Sequence, residues 1–402
     1  MPKALFFSLP SVSVTNTLTP VVEKFAASGY EIVYYNTQAF QPKGDFSFRF
    51  KAYPPYKGGY NPTEMEISSS YFQFGEVLIE TAESLLDFLL EEVKREKPVF
   101  IIHSHLALWG QLVARHFKLP SLTLFTTFIL DQRIMLPEIR KSNSGQQVNF
   151  SNINQGKMFY QKIQSLYSRL NLRDNINIWD IYVNKGNLNL SFIMEEFQPT
   201  KEILGPEFKF VGFPIDIDTE AVSHELIYIA FGTIFNKEAD FYSICLNVLK
   251  EINMESILSI GKGTKKELLG ELPPAIKIEH FVDQISILKK AALFLTRGGM
   301  ASVQEAVYTL TPMIVIPDIP EQRITANKIE ELGIGIQLPK AMLTEEILRS
   351  AIHKILSDKE FYINNLKALV ANKPVLPAPS LAFHYLDSEF YAGLPANHSF
   401  VR

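Results

Sequence analysis

The stretch that decides the fold is residues 293–306, which read LFLTRGGMASVQEA. Its first three residues form an apolar run typical of a buried strand, and the segment after the two glycines is compatible with a helix. Glycines let backbone N–H groups approach a ligand, and a helix N-terminus favours an anion. Arg297 adds a permanent positive charge suited to phosphate. The stretch therefore predicts a strand, a turn and a helix that could bind a phosphorylated ligand, or a purely structural Gly-Gly turn.

Outward from this stretch, apolar runs alternate with segments of helical spacing. Strands are predicted in the first half at residues 4–9, 31–35, 99–103 and 121–125, and in the second half at 226–231, 257–260, 276–279, 293–295 and 313–316. Helices are predicted at 17–27, 74–96 and 106–117, and residues 38–65, without periodicity, are interpreted as a loop. Strands alternating with helices of this length indicate parallel sheets. The predicted fold class is α/β, with two doubly wound domains and a ligand crevice between the carboxyl ends of their sheets.

Composition restricts the functional classes. The chain has 402 residues, 47% hydrophobic and 20% charged, with a net charge of −4. These values exclude a disordered chain and give no overall positive charge for a nucleic-acid partner. The lone Cys245 excludes an internal disulfide, and the histidines lack metal-ligand spacing, so no metal is predicted. Without a membrane span or signal peptide in the sequence, the predicted location is cytoplasmic.

The block from 281 to 335 resembles the donor-binding motif of UDP-dependent glycosyltransferases, in particular the macrolide-glycosyltransferase-like bacterial branch. The pattern of that branch is roughly FVPQ, THGGMNSVxEA, GVPMVVxP, DQ and GxG. The chain has FVDQ at 281–284, TRGGMASVQEA at 296–306, TPMIVIP at 311–317, EQ at 321–322 and GIG at 333–335. Further matches are IAFGTIFN at 229–236, LALWG at 106–110 and FTTF at 125–128.

The resemblance covers nearly the whole chain and implies a GT-B fold, with an N-terminal acceptor domain and a C-terminal nucleotide-sugar domain. The domains are predicted at 1–213 and 226–380, joined by a Pro- and Asp-containing linker at 214–225. Residues 381–402 are expected to cross back to the first domain. The resemblance also implies a UDP-sugar co-substrate, most simply UDP-glucose, and no tightly bound cofactor.

The resemblance assigns donor-binding roles residue by residue. Gln284 and Glu305 match the nucleoside contacts, Arg297 matches the diphosphate-binding position, and Glu321 matches the acidic sugar contact, followed by Gln322. The remaining predicted donor-binding residues are Thr233, Gly298, Gly299 and Ser302.

The chain departs from the family where proton transfer would occur. The family's base is a histidine in the loop after the first strand, oriented by an aspartate at a later strand end. Alignment through Asn16 places that base position at Val14, and the aspartate position falls on Ser104. On the donor side, Ala301 replaces a phosphate-binding asparagine and Arg297 a histidine. Both members of the dyad are thus predicted to be replaced.

Two histidines are candidate substitutes for the base. Strand alternation would put His103 and His105 on one face and Ser104 on the other. We hypothesise that His105, or less favourably His103, faces the crevice and acts as base or acid; the alternative is a buried, hydrogen-bonded histidine and a loop residue. Ser13 and Thr15 could bind or orient an acceptor, although unassisted hydroxyls are poor bases at neutral pH.

Many aromatic side chains lie near the predicted strand ends of the first half and suit an apolar small molecule such as a polyketide, terpenoid or flavonoid. The alternative is that they cover the sheet. With the neighbouring apolar residues they are Phe46, Phe48, Phe50, Tyr53, Tyr56, Tyr60, Tyr71, Phe72, Phe74, Phe125, Phe128, Ile129 and Met135.

The sequence is compatible with two functions. The first is inverting transfer of a sugar from a UDP-sugar to a hydroxyl of an apolar natural product, using a non-standard base. The second is a glycosyltransferase fold repurposed for cyclisation, rearrangement or dehydration of a natural product, or for ligand binding without a sugar donor. No nucleic acid or membrane span is expected, and the sequence leaves a homodimer open.

Overall fold

The computed structural model describes residues 1–56, 71–130, 132–134, 153–172, 179–214, 222–232, 239–261, 264 and 266–393. The chain divides into two compact units. The first comprises Met1–Ile215 together with Pro374–Arg402, and the second comprises Asp216–Lys373. For comparison, the sequence predicts a first domain that ends at residue 213 and a second domain that spans residues 226–380.

Within the described part of the first unit, seven parallel strands form one sheet in the order β3-β2-β1-β4-β5-β6-β7. The strands are β1 Lys3–Phe7, β2 Glu31–Asn36, β3 Arg49–Ala52, β4 Phe100–Ser104, β5 Ser121–Phe125, β6 Leu188–Ser191 and β7 Phe208–Phe210. The central strands are buried on both faces, which explains why β1 reads as a continuous apolar run. The helices before the second unit are α1 Val12–Ala27, α2 Tyr71–Glu96, α3 Leu108–His116, α4 Ile153–Arg169 and α5 Asp180–Val183.

The second unit contains a six-stranded parallel sheet within its described residues, in the order β10-β9-β8-β11-β12-β13. The strands are β8 Leu226–Ala230, β9 Ser256–Ser259, β10 Ile276–Glu279, β11 Ala291–Thr296, β12 Met313–Val315 and β13 Gly335–Gln337. The helices are α6 Ala239–Ile252, α7 Gln284–Leu288, α8 Met300–Tyr308, α9 Pro320–Glu331, α10 Glu345–Ser357 and α11 Lys359–Ala371.

The C-terminal segment of the chain belongs to the first unit. It forms helix α12 Ala378–His384, followed by the π-helical turn Tyr385–Tyr391. The Tyr30 hydroxyl donates a hydrogen bond of 2.9 Å to Asp387, and the Tyr30 ring meets Tyr391 edge-on with centroids 5.6 Å apart. Lys209 and Glu389 form an ion pair at 3.1 Å. These contacts attach the end of the chain to the first sheet. In the described part of the chain, no helix has both the length and the apolarity needed to span a membrane.

The start of α1 differs from the sequence prediction. The helix begins at Val12 rather than at residue 17, because tertiary contacts stabilise its first turn. Val14 is 6% exposed within the hydrophobic core, and Oγ1 of Thr15 accepts a hydrogen bond from Asn36. A first turn rich in β-branched and hydroxyl side chains has low intrinsic helix propensity, so the local signal was weak.

The predicted loop at 38–65 is also wrong in part, because it contains the edge strand β3. Ion pairs connect this strand to α2: Lys51 lies 2.6 Å from Glu96 and 3.0 Å from Glu92, and Arg49 lies 2.6 Å from Glu96. Ion pairs between residues that are 40 or more positions apart produce no recognisable pattern in the sequence near the strand. The short strands β6, β7 and β13 were likewise not predicted from the sequence.

Candidate functional site

The Gly-Gly turn connects β11 to α8. Gly298 has φ +87°, and a Cβ at this position would lie 2.7 Å from Cγ1 of Val315, so the turn requires glycine on both grounds. Gly299 is the N-cap of α8, and a Cβ built on it would meet no atom within 4 Å. The first turn of α9 is also close, since the Cβ at 298 would be 3.5 Å from the Gln322 carbonyl oxygen. Backbone N–H groups at the start of α8 thus adjoin open space at Gly299.

Gln284, Ser302 and Glu305 are brought together by α7 and α8. Nε2 of Gln284 donates to Oγ of Ser302 at 3.0 Å and to Oε2 of Glu305. Gln284 is the first residue of α7, and Asp283 caps that helix through the Ser286 N–H. Burial raises the pKa of Glu305, while the hydrogen bond from Gln284 opposes that rise. Three side chains predicted to bind the donor therefore form one connected polar cluster.

Arg297 is not presented to solvent. Its side chain is buried, with the residue 2% exposed, and its guanidinium carbon lies 4.8 Å and 5.3 Å from the ring centroids of Phe241 and Phe231. Cation–π contacts of this length stabilise a buried arginine. The diphosphate role of Arg297 stays a prediction, and the structure gives the side chain a packing role.

Glu321 and Gln322 lie in the first turn of α9, but their side chains have different environments. Gln322 is 7% exposed, and its Oε1 accepts hydrogen bonds from the N–H groups of Asp318 at 2.8 Å and Ile319 at 3.3 Å. Gln322 therefore caps the helix and fixes the turn before it. Glu321 is only partly buried. Thr233, also predicted to bind the donor, lies outside the described residues.

In the first unit, Ser13 and Thr15 lie in the first turn of α1 rather than in a loop. Ser13 is exposed. Thr15 is 7% exposed, and its hydroxyl oxygen is already engaged by Asn36 at 3.2 Å. Ser104, at the end of β4, is fully buried and accepts a hydrogen bond from the Leu9 N–H at 2.9 Å. These contacts give Thr15 and Ser104 structural roles.

His103 is enclosed within the first unit. Its Nδ1 lies 3.2 Å from the Ser104 carbonyl oxygen, and its Nε2 lies 3.3 Å from Oγ1 of Thr123. The Thr123 hydroxyl has one proton and also lies 3.2 Å from the Asn184 carbonyl oxygen, so Nε2 and that carbonyl share it as alternative acceptors. Helix α3 packs on this histidine so closely that a Cβ on Gly110 would lie 2.5 Å from Cβ of His103. Burial lowers the pKa of His103 to about 4.

His105 is also buried, at 3% exposure, and its ring stacks on Phe125 with centroids 5.2 Å apart. His103 contacts Thr123, and Thr123 and Phe125 lie two residues apart on β5, so the two histidines share one face of the sheet. Nδ1 of His105 is buried without a hydrogen-bond partner among the described residues. Burial lowers the pKa of His105 to about 3, against a smaller opposing effect of the Leu124 carbonyl. Both histidines are therefore neutral at pH 7.

The aromatic residues expected to face an acceptor are mostly core residues. Tyr53 donates to the Ser8 carbonyl at 3.1 Å and accepts from the Trp109 indole at 3.0 Å. Five residues of this set are buried, which agrees with the alternative that they cover the sheet: Phe48, Tyr53, Phe125, Phe128 and Ile129. Phe46, Phe50, Tyr56 and Phe74 are partly buried against the same core. Tyr60 and Met135 and the side chains of Tyr71 and Phe72 lie outside the described residues.

Comparisons with known proteins identify the family to which this chain belongs. Residues 243–382 match the family model described as "Erythromycin biosynthesis protein CIII-like, C-terminal domain". Over 380 residues the chain is 30% identical to the uncharacterized UDP-glucosyltransferase YojK of Bacillus subtilis, with 90% of this chain and 91% of that protein covered. The chain belongs to the UDP-dependent glycosyltransferase family.

Two further comparisons agree with this assignment. The NDP-glycosyltransferase YjiC of Bacillus subtilis is 27% identical over 360 residues, covering 88% of each chain. The crystal structure of the kitacinnamycin glycotransferase superposes with a TM-score of 0.80, covering 96% of this chain and 99% of that one at 20% identity. The latter similarity confirms the predicted GT-B glycosyltransferase fold.

Within this glycosyltransferase, one important contact was missed by sequence reasoning. Tyr228, in the middle of β8, donates to Oε1 of Gln284 at 3.1 Å. Its sequence context, LIYIA, is that of an ordinary buried strand, and its partner is 56 residues away. Only the tertiary fold brings the two side chains together.

Proposed function

We propose that this glycosyltransferase transfers a sugar from a UDP-sugar, most simply UDP-glucose, to a hydroxyl of an apolar small molecule. The observation that carries the proposal is the cluster of Gln284, Ser302 and Glu305 beside the Gly298–Gly299 turn. A carboxylate and a hydroxyl held by an amide suit a ribose diol, and N–H groups at the start of α8 suit a diphosphate. The erythromycin-related family model supports a natural-product acceptor.

The reaction is a displacement at the anomeric carbon. The acceptor oxygen forms a bond to that carbon as the bond to the diphosphate oxygen breaks, and UDP leaves with the electron pair. Backbone N–H groups at the α8 N-terminus would stabilise the negative charge that develops on the diphosphate. The proton of the acceptor hydroxyl passes to a base.

His105 remains our proposal for that base, with His103, Ser13 and Thr15 less suited by their environments. Ser13 is exposed, and the Thr15 hydroxyl oxygen already accepts a hydrogen bond from Asn36. Each ring nitrogen of His103 has a polar neighbour within 3.3 Å. His105 keeps Nδ1 without a partner among the described residues. A base with a pKa of about 3 is weak at neutral pH, so we expect slow turnover unless substrate binding changes the surroundings of the ring.

The decisive experiment measures UDP and UDP-glucose binding by calorimetry and sugar release with a panel of apolar acceptors. We expect UDP to bind and sugar release to increase with a suitable acceptor. Glu305→Gln should weaken UDP binding about tenfold, corresponding to loss of a charge-assisted hydrogen bond. Glu271→Gln, an exposed glutamate of the same unit, is the matched control and should leave binding unchanged.

Absence of UDP binding at millimolar concentration would refute the donor assignment and revive a repurposed fold, which the glycosyltransferase relatives do not favour. Binding without sugar release to any acceptor would refute only the transfer step. For the base, His105→Ala should abolish most turnover while UDP affinity stays constant. Wild-type turnover in that variant would remove His105 from the mechanism.

A further inference from the structure

Tyr228 is a buried residue whose hydroxyl contacts the Gln284 amide of the candidate donor site. Its residue is 1% exposed, and its ring stacks on Phe294 with centroids 5.0 Å apart and planes inclined by 11°. Its hydroxyl lies 3.1 Å from Oε1 of Gln284. A central strand and a stacked ring thus fix the position of this hydroxyl group.

The Tyr228 hydroxyl and the Glu305 carboxylate together determine the orientation of the Gln284 amide. Burial raises the pKa of Tyr228, against a smaller opposing effect of Ser259, so the hydroxyl stays protonated at neutral pH and has a proton to donate to Oε1. Oε1 of Gln284 accepts the hydrogen bond from that hydroxyl, and Nε2 points towards Ser302 and Glu305. The flipped amide would set its carbonyl oxygen against the Glu305 carboxylate, which is electrostatically unfavourable.

The amide in this orientation leaves binding capacity on both of its acceptors. Nε2 of Gln284 donates to Oγ of Ser302. The proton of the Ser302 hydroxyl is therefore not engaged by Gln284. Nε2 also donates to Oε2 of Glu305, so the amide does not occupy Oε1. One donor and one acceptor are thereby held about a turn apart on α8.

We propose that Tyr228 is a positioning residue for recognition of the donor's ribose. By fixing the Gln284 amide, it keeps Ser302 and Glu305 in place to bind the vicinal 2′ and 3′ hydroxyls. Tyr228 does not itself touch the nucleotide. The inference rests on the proposed function, in which this cluster binds the nucleoside of a UDP-sugar.

Tyr228→Phe tests the inference, because it keeps the stacked ring and removes only the hydroxyl. The ligands are UDP and 2′-deoxy-UDP, measured by calorimetry on the full chain. The wild type should prefer UDP. In the variant, UDP affinity should fall about fivefold, as expected for one hydrogen bond, while 2′-deoxy-UDP affinity should change by less than about twofold.

A double-mutant cycle separates positioning from general destabilisation. Gln284→Met removes the amide at similar volume, and it should reduce the preference for ribose as Tyr228→Phe does. The double variant should lose little more than Gln284→Met alone, because Tyr228 acts through Gln284. Tyr53→Phe, which removes a buried tyrosine hydroxyl from the first unit, is the matched control and should leave the preference at the wild-type value.

The pH dependence of UDP binding gives a second readout. Burial raises the pKa of Glu305 and the neighbouring Asp283 carboxylate adds to that rise, while the hydrogen bond from Gln284 limits it. An amide released by Tyr228→Phe should let that pKa rise, so UDP affinity should begin to fall at a higher pH than in the wild type.

The outcomes distinguish the two proposals. Wild-type protein that binds no UDP overturns both. Wild-type protein that binds UDP, with a folded Tyr228→Phe variant of unchanged ribose preference and pH dependence, overturns the positioning role alone. Equal losses for UDP and 2′-deoxy-UDP, or additive effects in the cycle, also overturn it. If Tyr228→Phe does not fold, an unchanged ribose preference in Gln284→Met overturns it instead.

Discussion

The backbone N–H of Leu9 donates a hydrogen bond of 2.9 Å to the Ser104 hydroxyl oxygen, and both residues are almost fully buried. The contact joins the loop after β1 to the end of β4, the two places where the family resemblance predicts a base and the partner of that base. Ser104, the residue predicted to stand at the aspartate position, here connects two strand ends. The other aligned position, Val14, packs into the core.

Ser104→Ala should reduce the free energy of unfolding by about 1–3 kcal/mol, because it leaves the Leu9 N–H buried without its acceptor. Denaturant unfolding followed by circular dichroism measures the change. Ser13→Ala, an exposed serine in the first turn of α1, is the control and should change stability by less than about 0.5 kcal/mol. Equal stability of the two variants would show that the hydrogen bond contributes nothing.

Gly110→Ala should destabilise the first unit by about 1–3 kcal/mol, because the added Cβ would lie 2.5 Å from Cβ of His103. Gly156→Ala is the matched control in α4. A Cβ added at residue 156 would meet no atom within 4 Å, so the helix should gain up to about 1 kcal/mol. Thermal unfolding of both variants measures the difference, and a neutral Gly110→Ala would contradict the close packing of α3 on β4.

Stability should fall as pH decreases below about 6.5, the ordinary pKa of an unfolded histidine. His103 and His105 have folded pKa values of about 4 and about 3, so the unfolded chain binds protons that the folded chain does not. Each histidine should therefore cost about 1.4 kcal/mol per pH unit until its folded pKa is reached. Urea unfolding between pH 7 and pH 4.5 measures the slope.

His105→Phe should make that slope shallower by about 1.4 kcal/mol per pH unit while keeping the stacking on Phe125. His353→Gln, at an exposed position of α10, is the control and should leave the slope as it is. A slope unaffected by His105→Phe would mean that the ring is already protonated or accessible to water in the folded state.

Glu96→Gln should cost about 1–2 kcal/mol at pH 7, because it breaks the ion pairs that hold β3 to α2. Burial opposes ionisation of Glu96, but hydrogen bonds from Lys51 and Arg49 prevail and lower its pKa to about 2. Because the folded pKa is depressed, the stabilisation is present above about pH 4.3 and is lost as pH falls towards 2.

The difference between Glu96→Gln and the wild type should therefore shrink over that interval, as measured by unfolding at pH 7, 4 and 3. Glu91→Gln on the same helix, whose pair with Lys94 is exposed, should cost less than about 0.5 kcal/mol. A constant difference across the pH range would show that the charge of Glu96 is not what stabilises the strand.

Much of the fold was predictable because its signals are local. The predicted strands at 121–125 and 276–279 match β5 and β10 to the residue, since buried parallel strands read as short apolar or alternating runs bounded by turn residues. The short edge strand β3 was missed because ion pairs to α2, 40 or more residues away, hold it in place.

The candidate site likewise has features that the sequence predicted and features that only the structure revealed. The sequence by itself determined the family, and it predicted a Gly-Gly turn at 298–299 and the donor-site candidates Gln284, Ser302 and Glu305, because these depend on residue types at fixed spacing. Tertiary structure alone decided that Tyr228 holds Gln284, that Arg297 packs under two phenylalanine rings, and that both candidate histidines are buried with depressed pKa values. Hydrogen bonding, cation–π contact and desolvation depend on which distant side chains surround a group, and that information arises only when the chain folds.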